Sequence, residues 1–173
     1  MDNFIFVQIL GIMTLIVFVI SMQQRKKETF LLLQTAGTVL FIIQYILTDR
    51  ITGAIIFTIV VIRGVVFYYY KKKDLKPSVA VLLIFQTVLV ISTYFSWQNI
   101  FSVIPFTATV VKTWGVWQDD MKWTRRATLC CQSLLIAYNL YASMYTGALT
   151  QICSSASTLV AMRRYDFRKK PVK

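Results

Sequence analysis

The chain contains no histidine, and its seven acidic residues stand against nineteen basic ones. Without imidazole it lacks the commonest metal ligand and general base of proteins. The seven apolar stretches described below hold no Asp or Glu, so they supply neither a paired acid and base nor a carboxylate relay for protons or sodium. The chain also has no Walker phosphate-binding sequence. We therefore expect no enzyme activity, no cofactor, no metal site and no self-powered pumping.

Cysteine and proline are also scarce, with three of each. Cys130, Cys131 and Cys153 fall inside apolar stretches, where a free cysteine behaves as a small, soft packing residue. We interpret all three as packing residues rather than as a disulfide or a metal-ligand set.

Apolar residues dominate what is present: hydrophobic side chains make up 57% of the chain, and its mean hydropathy is +0.61. This composition excludes an ordinary soluble globular domain. Seven stretches of 17–20 residues stand out, close to the ~20 that a helix needs to cross the hydrocarbon core. They predict an all-α membrane protein with seven transmembrane helices. The stretches are residues 4–20, 30–47, 51–70, 79–95, 100–117, 127–144 and 146–162.

Basic residues are distributed unevenly between these stretches. If the stretches alternate across a membrane, sixteen of the nineteen Lys and Arg residues lie on one side and only Arg50 lies on the other. Basic loops stay in the cytoplasm, so the N-terminus is expected outside and the C-terminus inside. We interpret the net charge of +12 as a topology signal that contacts anionic lipid headgroups, rather than as a nucleic-acid-binding surface.

The two ends of the chain share one arrangement of helices. A shift of 94 residues places Thr52-Gly53-Ala54 on Thr146-Gly147-Ala148, and the first three stretches on the last three. The single fourth helix keeps the halves parallel, which predicts a 3+1+3 plan: a bundle over residues 1–76, a linker helix over 77–98, and a second bundle with a basic tail over 99–173. Parallel repeats are one established transporter plan, with the solute site at the repeat interface. Three-helix units also duplicate for reasons unrelated to transport.

Several short runs are similar to those of a known family. The runs are Gln23-Gln24-Arg25-Lys26-Lys27, Leu33-Gln34, Gln44-Tyr45-Ile46-Leu47, Thr52-Gly53-Ala54, Arg63, Pro105 and Lys112-Thr113-Trp114. On these runs, over roughly residues 8–165, the chain resembles the YgjV-like bacterial inner-membrane proteins, which implies a multi-pass protein of the bacterial cytoplasmic membrane.

The YgjV-like family in turn resembles the SWEET and PQ-loop group of small-solute transporters, and the Pnu-type nicotinamide riboside carriers. This resemblance implies the 3+1+3 plan and makes a homo-oligomer an expectation. The Pro-Gln dipeptide that names the PQ-loop group is absent, and Phe57 and Gly64 stand where the family usually carries asparagine. The sugar-binding asparagines therefore do not carry over, and the resemblance does not imply a sugar substrate.

Arg63 is the most costly residue inside an apolar stretch, because it lies eight residues, or ~12 Å along a helix, from Lys71. An arginine at this depth marks a functional site by default. It either extends to the inner headgroups or faces a water-filled cavity, where it would attract a carboxylate or phosphate. Lys112 is only six residues from Gln118, and we expect it to reach the headgroups.

Other candidate solute ligands are polar or aromatic residues at helical spacing. Gln151 and Ser155 belong to a polar face of the seventh stretch, which either lines a solute path or packs closely against another helix. Gln132, Asn139 and Asn139's counterpart Tyr45 either bind solute or form interhelical hydrogen bonds. Trp114 either stacks on a ring-bearing solute or anchors the membrane interface.

Pro105 and its counterpart Gly11 are candidate hinges. Proline removes a helical hydrogen bond and glycine softens a helix, so paired weak points in the first helix of each half would suit a rocking motion. A packing kink without motion is the alternative.

Taken together, these features predict a facilitator or uniporter for a small polar or anionic metabolite, which works by alternating access. Its expected partners are the solute and the anionic bilayer surface, and nucleic acid is not expected. The alternative is a membrane protein that does not transport, and that acts as a partner, regulatory or lipid-interacting subunit.

Overall fold

The computed structural model describes residues 2–47, 51–95, 100–141 and 145–166. Over these residues it contains seven α-helices and no strand, which confirms the predicted all-α class and the number of helices. The helices are α1 (Asp2–Met22), α2 (Lys27–Leu47), α3 (Ile51–Lys72), α4 (Val79–Phe95), α5 (Val103–Trp117), α6 (Met121–Tyr141) and α7 (Tyr145–Tyr165), with a 3-10 turn at Ile100–Ser102.

Within the described part of the chain, no helix combines the length and the apolar character that crossing a membrane requires. The transmembrane arrangement, its orientation and the 3+1+3 division therefore stay predictions.

Most helix boundaries lie within a few residues of the predicted stretches, and the starts of α6 and α5 change the interpretation. α6 begins at Met121, six residues before the predicted stretch, because the Asp120 carboxylate caps it by accepting a hydrogen bond from the Lys122 backbone at 2.9 Å. α5 begins at Val103, so Pro105 lies in the first helical turn. A backbone N–H in that turn has no intrahelical acceptor, so proline costs α5 no hydrogen bond here, and the hinge role of Pro105 stays a prediction.

The end of α3 shows how a local motif stops a helix. Asp74 adopts a left-handed conformation with φ of 54°. The Leu75 N–H donates to the Tyr70 carbonyl at 2.9 Å, and the Asp74 N–H donates to the Lys71 carbonyl at 3.0 Å. These are the two bonds of a Schellman motif, which turns the chain toward α4.

The helices form two sets of three. α2 packs between α1 and α3, and α6 packs between α5 and α7; α1 also contacts α7, and α4 lies against α5. The main apolar core brings together Met22, Phe30, Phe67, Val116 and Met121 from five helices.

The basic segments meet at one end of the fold, which we name the basic end. Lys71 lies 3.7 Å from the Asp119 carboxylate, and the Lys76 ammonium lies 4.4 Å from the centre of the Trp117 ring. Arg25 stacks over Tyr165 at 4.8 Å. Loops that are distant in sequence therefore share one surface.

Polar groups are enriched inside the fold, and large apolar side chains are common outside it. Thr14, Thr113 and Thr158 are fully buried, whereas α1 exposes Ile12 at 58% and α4 exposes Ile84 at 60%. A soluble monomer rarely exposes extensive apolar surface. Further exposed apolar residues are Ile9, Ile16, Ile20, Leu83, Val90, Ile91, Leu149, Leu159 and Val160.

Candidate functional site

A small cavity lies between α2, α3 and α5, near the basic end. The volume open to the centre of a water molecule is about 20 Å³. Gly64 lets α2 and α3 approach here, because a Cβ at this position would overlap the Thr35 hydroxyl. The lining consists of Phe30, Leu31, Gln34, Thr35, Thr38, Val60, Arg63, Gly64, Lys112 and Val116.

Arg63 lies in the wall of this cavity and is only 5% exposed. Its Nη1 donates a hydrogen bond to the Thr113 hydroxyl of α5, which in turn donates to the Thr109 carbonyl at 2.7 Å. Its Nε is buried and has no hydrogen-bond acceptor in the described structure. Burying such a donor without a partner costs free energy. Because water cannot reach this nitrogen, a ligand in the cavity does not contact it in the conformation described.

Lys112 lines the same cavity and is half-buried. The fold places it in the same lining as Arg63, and its reach to the headgroups stays a prediction. No carboxylate contributes to the lining, so the cavity has two cations and no fixed counter-charge. Such a site attracts anions strongly because its surroundings screen charge poorly.

Two contacts between the helix sets are related by the shift of 94 residues. Arg63 of α3 meets Thr113 of α5. At the equivalent positions, the Ser157 hydroxyl of α7 donates to the Val19 carbonyl of α1 at 2.9 Å. Equivalent positions therefore meet at both interfaces, and of these two pairs only Arg63 with Thr113 includes an arginine.

The interface between α1 and α7 is closed by direct hydrogen bonds. Gln23 donates from Nε2 to the Ser157 carbonyl at 2.8 Å and to its hydroxyl at 2.9 Å. Nearby, Gln34 of α2 donates to the Ser21 hydroxyl of α1 at 2.8 Å. The Gln23 and Gln34 amides thus bond to groups of neighbouring helices. We interpret this side of the fold as a packed interface rather than as a solute path.

The predicted solute ligands of α6 and α7 do not reach the cavity lining. Gln132 is 4% exposed; its Nε2 donates to the Ser154 hydroxyl at 2.6 Å, and its Oε1 accepts from the Thr158 hydroxyl at 3.2 Å. Asn139 packs beside Gly147. Gln151 is half-buried, and the Ser155 hydroxyl is buried without a hydrogen-bond partner among the described residues.

The remaining candidates are dispersed. Trp114 is 40% exposed and meets the Trp123 ring edge-on, with ring centres 5.9 Å apart. The side chain of Tyr45 lies outside the described residues. Gly11 lies beside Gln44, at an ordinary contact distance for an added Cβ. Of the six predicted ligands whose side chains the structure describes, only Arg63 lines the cavity, and the solute-binding and hinge roles stay predictions.

Sequence reasoning missed a buried ion pair at the basic end. Nη1 of Arg125 in α6 lies 2.6 Å from the Asp166 carboxylate after α7, with side chains 2% and 6% exposed. Its Nη2 donates to the Gln24 carbonyl at 2.7 Å, and its guanidinium stacks over Tyr165 at 5.1 Å. Arg125 thus joins the connection after α1 to the end of α7. The sequence alone predicts a solvated charge cluster of Arg125 with Asp119 and Asp120, and for Arg125 that prediction is wrong.

Lys27, at the start of α2, provides a test of burial at the basic end. Its side chain is 7% exposed, and burial lowers its pKa to about 8, although Asp119 partly opposes this shift. Below pH 8 the lysine is charged in both folded and unfolded chains, and the full cost of burial is present. As the pH rises from about 8 toward 10.5, only the unfolded chain keeps the proton, so stability rises.

We therefore expect Lys27→Met to stabilise the protein at pH 7, by up to about 3 kcal/mol on the scale of 1.36 kcal/mol per pKa unit. The difference from the unmodified protein should shrink by pH 10. Thermal unfolding in detergent at both pH values measures this, with the exposed neighbour Lys26 replaced in Lys26→Met as the control. Equal melting curves for the two variants at pH 7 would contradict it.

Comparison with known proteins gives one match. The profile of Imp-YgjV, described as a bacterial inner membrane protein, matches residues 5–169. No curated protein and no solved structure matches the chain, and the relationship to the SWEET and PQ-loop group stays a prediction. The match confirms both the family and the inner-membrane localisation inferred from the sequence. The chain thus belongs to the Imp-YgjV family of bacterial inner membrane proteins.

Proposed function

We propose that this inner membrane protein is a small-solute transporter, a facilitator or uniporter for a small polar or anionic metabolite. Its seven helices span the bilayer with the basic end in the cytoplasm, and the N-terminus lies outside. The two sets of three helices rock against each other and expose the solute alternately to each side. The protein has no catalytic role, and its basic end contacts anionic lipid headgroups.

The observation that carries this proposal is the buried Arg63 at the contact between α3 and α5. Its side chain is 5% exposed and lines a cavity whose walls come from both helix sets. An arginine inside a membrane protein is expensive and commonly marks a substrate or ion path. In transporters built from parallel repeats, the solute site lies at the repeat interface, which is where Arg63 meets Thr113.

Embedding in the bilayer is supported by the distribution of side chains. The outer faces of α1, α4 and α7 expose isoleucine, leucine and valine, while threonine, serine, glutamine and arginine are buried. Water would disfavour such a surface, whereas lipid tails accept it at no cost. The contacts that bring the basic loops together at one end support the orientation, because basic loops stay in the cytoplasm.

The rival function is that of a partner or regulatory subunit that does not transport. It is favoured by Gln132, whose amide is occupied at both ends by Ser154 and Thr158. In a helix bundle with a purely structural role, we expect a polar residue such as Gln132 to form hydrogen bonds between helices, as it does here between α6 and α7.

Uptake into proteoliposomes separates the two functions. Purified protein is first screened by thermal stability against monocarboxylates, dicarboxylates, phosphate esters, sugars and nucleosides, because a ligand of the folded state stabilises it. Any stabilising compound is then used, radiolabelled, for uptake. We expect saturable uptake of an anionic compound that falls roughly tenfold or more in Arg63→Gln, the scale of losing a charged hydrogen bond.

Arg126→Gln is the matched control, because Arg126 is an exposed arginine that stacks over Trp123 at 5.2 Å and lies outside the cavity lining. It should retain uptake. If no compound gives saturable uptake, and another membrane protein co-purifies in stoichiometric amount, the transport function is wrong and the partner function stands.

A further inference from the structure

The cavity between α2, α3 and α5 has an unbalanced charge. Arg63 and Lys112 both line it, and every other lining residue is neutral. Two cations in poorly solvated surroundings repel each other and lose hydration, so each is costly without a counter-charge. The acidic residues described at the basic end, such as Asp119 and Asp166, are engaged with Lys71 and Arg125 instead. No lining residue supplies the missing negative charge, and a bound anion would supply it.

The size of the cavity restricts that ligand. About 20 Å³ is open to the centre of a water molecule, and roughly 10–15 Å³ of such volume suffices for one water. A single ion slightly larger than water fits this space, whereas a metabolite with a carbon skeleton does not fit in the conformation described here.

The donors on the wall suit a spherical monovalent anion. Nη1 of Arg63 is bonded to Thr113 and Nε is buried out of reach of the cavity, which leaves the positive charge of the guanidinium to attract the ligand. The Gln34 amide is held at the wall by its bond to Ser21. The hydroxyls of Thr35 and Thr38 donate to the carbonyls of Leu31 and Gln34 at 2.8 and 2.7 Å. The two cations are therefore the groups left to bind the ligand.

We propose that this cavity binds one small monovalent anion, represented by chloride, between the Arg63 guanidinium and the Lys112 ammonium. The anion neutralises one of the two positive charges of the lining. Anion binding requires only the folded protein. A role for the anion as substrate or coupled ion rests on the proposed transport function.

Titration of chloride-free protein tests the site. The protein is purified in sodium gluconate, whose anion is too large for the cavity, and chloride or bromide is added at constant ionic strength. Calorimetry and melting temperature are both recorded. We expect saturable binding of both halides with a rise in melting temperature, and affinity weakened roughly tenfold or more in Arg63→Gln and in Lys112→Gln. Arg63→Lys, which keeps the charge, should bind more tightly than Arg63→Gln.

Arg126→Gln again serves as the control, and melting in gluconate shows whether each variant is folded. Equal halide responses in the unmodified protein and Arg63→Gln would reveal a general salt effect and overturn the proposal, as would the absence of saturable binding. Halide binding without any solute uptake would leave the anion site standing and remove the transport function. Uptake that depends on Arg63, with no halide binding, would leave the transport function standing and remove the anion site.

Discussion

Asp166→Asn is expected to destabilise the folded protein by about 3–5 kcal/mol, the usual cost of removing one partner from a buried ion pair. The substitution leaves the Arg125 guanidinium 2% exposed and without its carboxylate. The remaining hydrogen bond to the Gln24 carbonyl and the stacking on Tyr165 place the expected value near the lower end of that range. Denaturant unfolding in detergent, followed by the fluorescence of the four tryptophans, measures the effect.

A matched control is the exposed pair at the end of α3, where Lys71 lies 3.4 Å from Asp74 and the Asp74 side chain is 93% exposed. Asp74→Asn should leave the free energy of unfolding almost unchanged, because exposed pairs contribute little. The double variant Arg125→Gln with Asp166→Asn should lose less than the sum of the single variants, since neither then buries an unpaired charge. Additive losses, or a loss from Asp166→Asn as small as that of the control, would contradict this account.

The helices were predictable because each is built around a long apolar run, and the fold extends most runs by only a few residues. The early start of α6 was not predictable from hydropathy. Its first turns carry Lys122, Arg125 and Arg126, and their charges made the segment resemble a loop. The cap from Asp120 and the pairing of Arg125 with Asp166 are what make helix favourable there.

The candidate site was predictable only in part. Arg63 could be selected from the sequence, because few environments stabilise the charge of an arginine far from the ends of an apolar run. Lys112 gave the same signal more weakly, but nothing local indicated that the two residues share a cavity, since they are 49 positions apart. The pairing of Arg125 with Asp166 was not predictable either. Arg125 resembled a charged residue of a loop, and Asp166 resembled part of a basic tail. Side-chain partners across helices depend on packing angles that single-sequence periodicity does not encode.

Packing between α5 and α6 depends on a glycine that sequence reasoning did not single out. Gly115 is buried, and a Cβ at this position would overlap the Ala127 Cβ of α6. The close approach also permits the Thr124 hydroxyl to donate to the Gly115 carbonyl at 2.8 Å. Small residues at such crossings are how helices of membrane proteins approach closely.

We expect Gly115→Ala to destabilise the protein by about 1–3 kcal/mol. Overpacking costs about 1–3 kcal/mol, and separating the helices also lengthens the Thr124 bond, worth about 1 kcal/mol. The higher helix propensity of alanine offsets about 1 kcal/mol of this loss in stability. Neither Ala127 nor the backbone can move aside as a flexible side chain would, so α6 itself must shift.

Exchanging the two residues tests whether this overlap is the cause. Adding Ala127→Gly to Gly115→Ala moves one methyl group across the interface without changing the total volume, and should recover most of the loss despite the lower helix propensity of glycine. Gly11→Ala is the matched control, because its added Cβ would lie 3.4 Å from Nε2 of Gln44, an ordinary contact, and it should be neutral or slightly stabilising. If Gly115→Ala behaves like Gly11→Ala, or if Ala127→Gly makes it worse, close approach at Gly115 does not determine how α5 packs on α6.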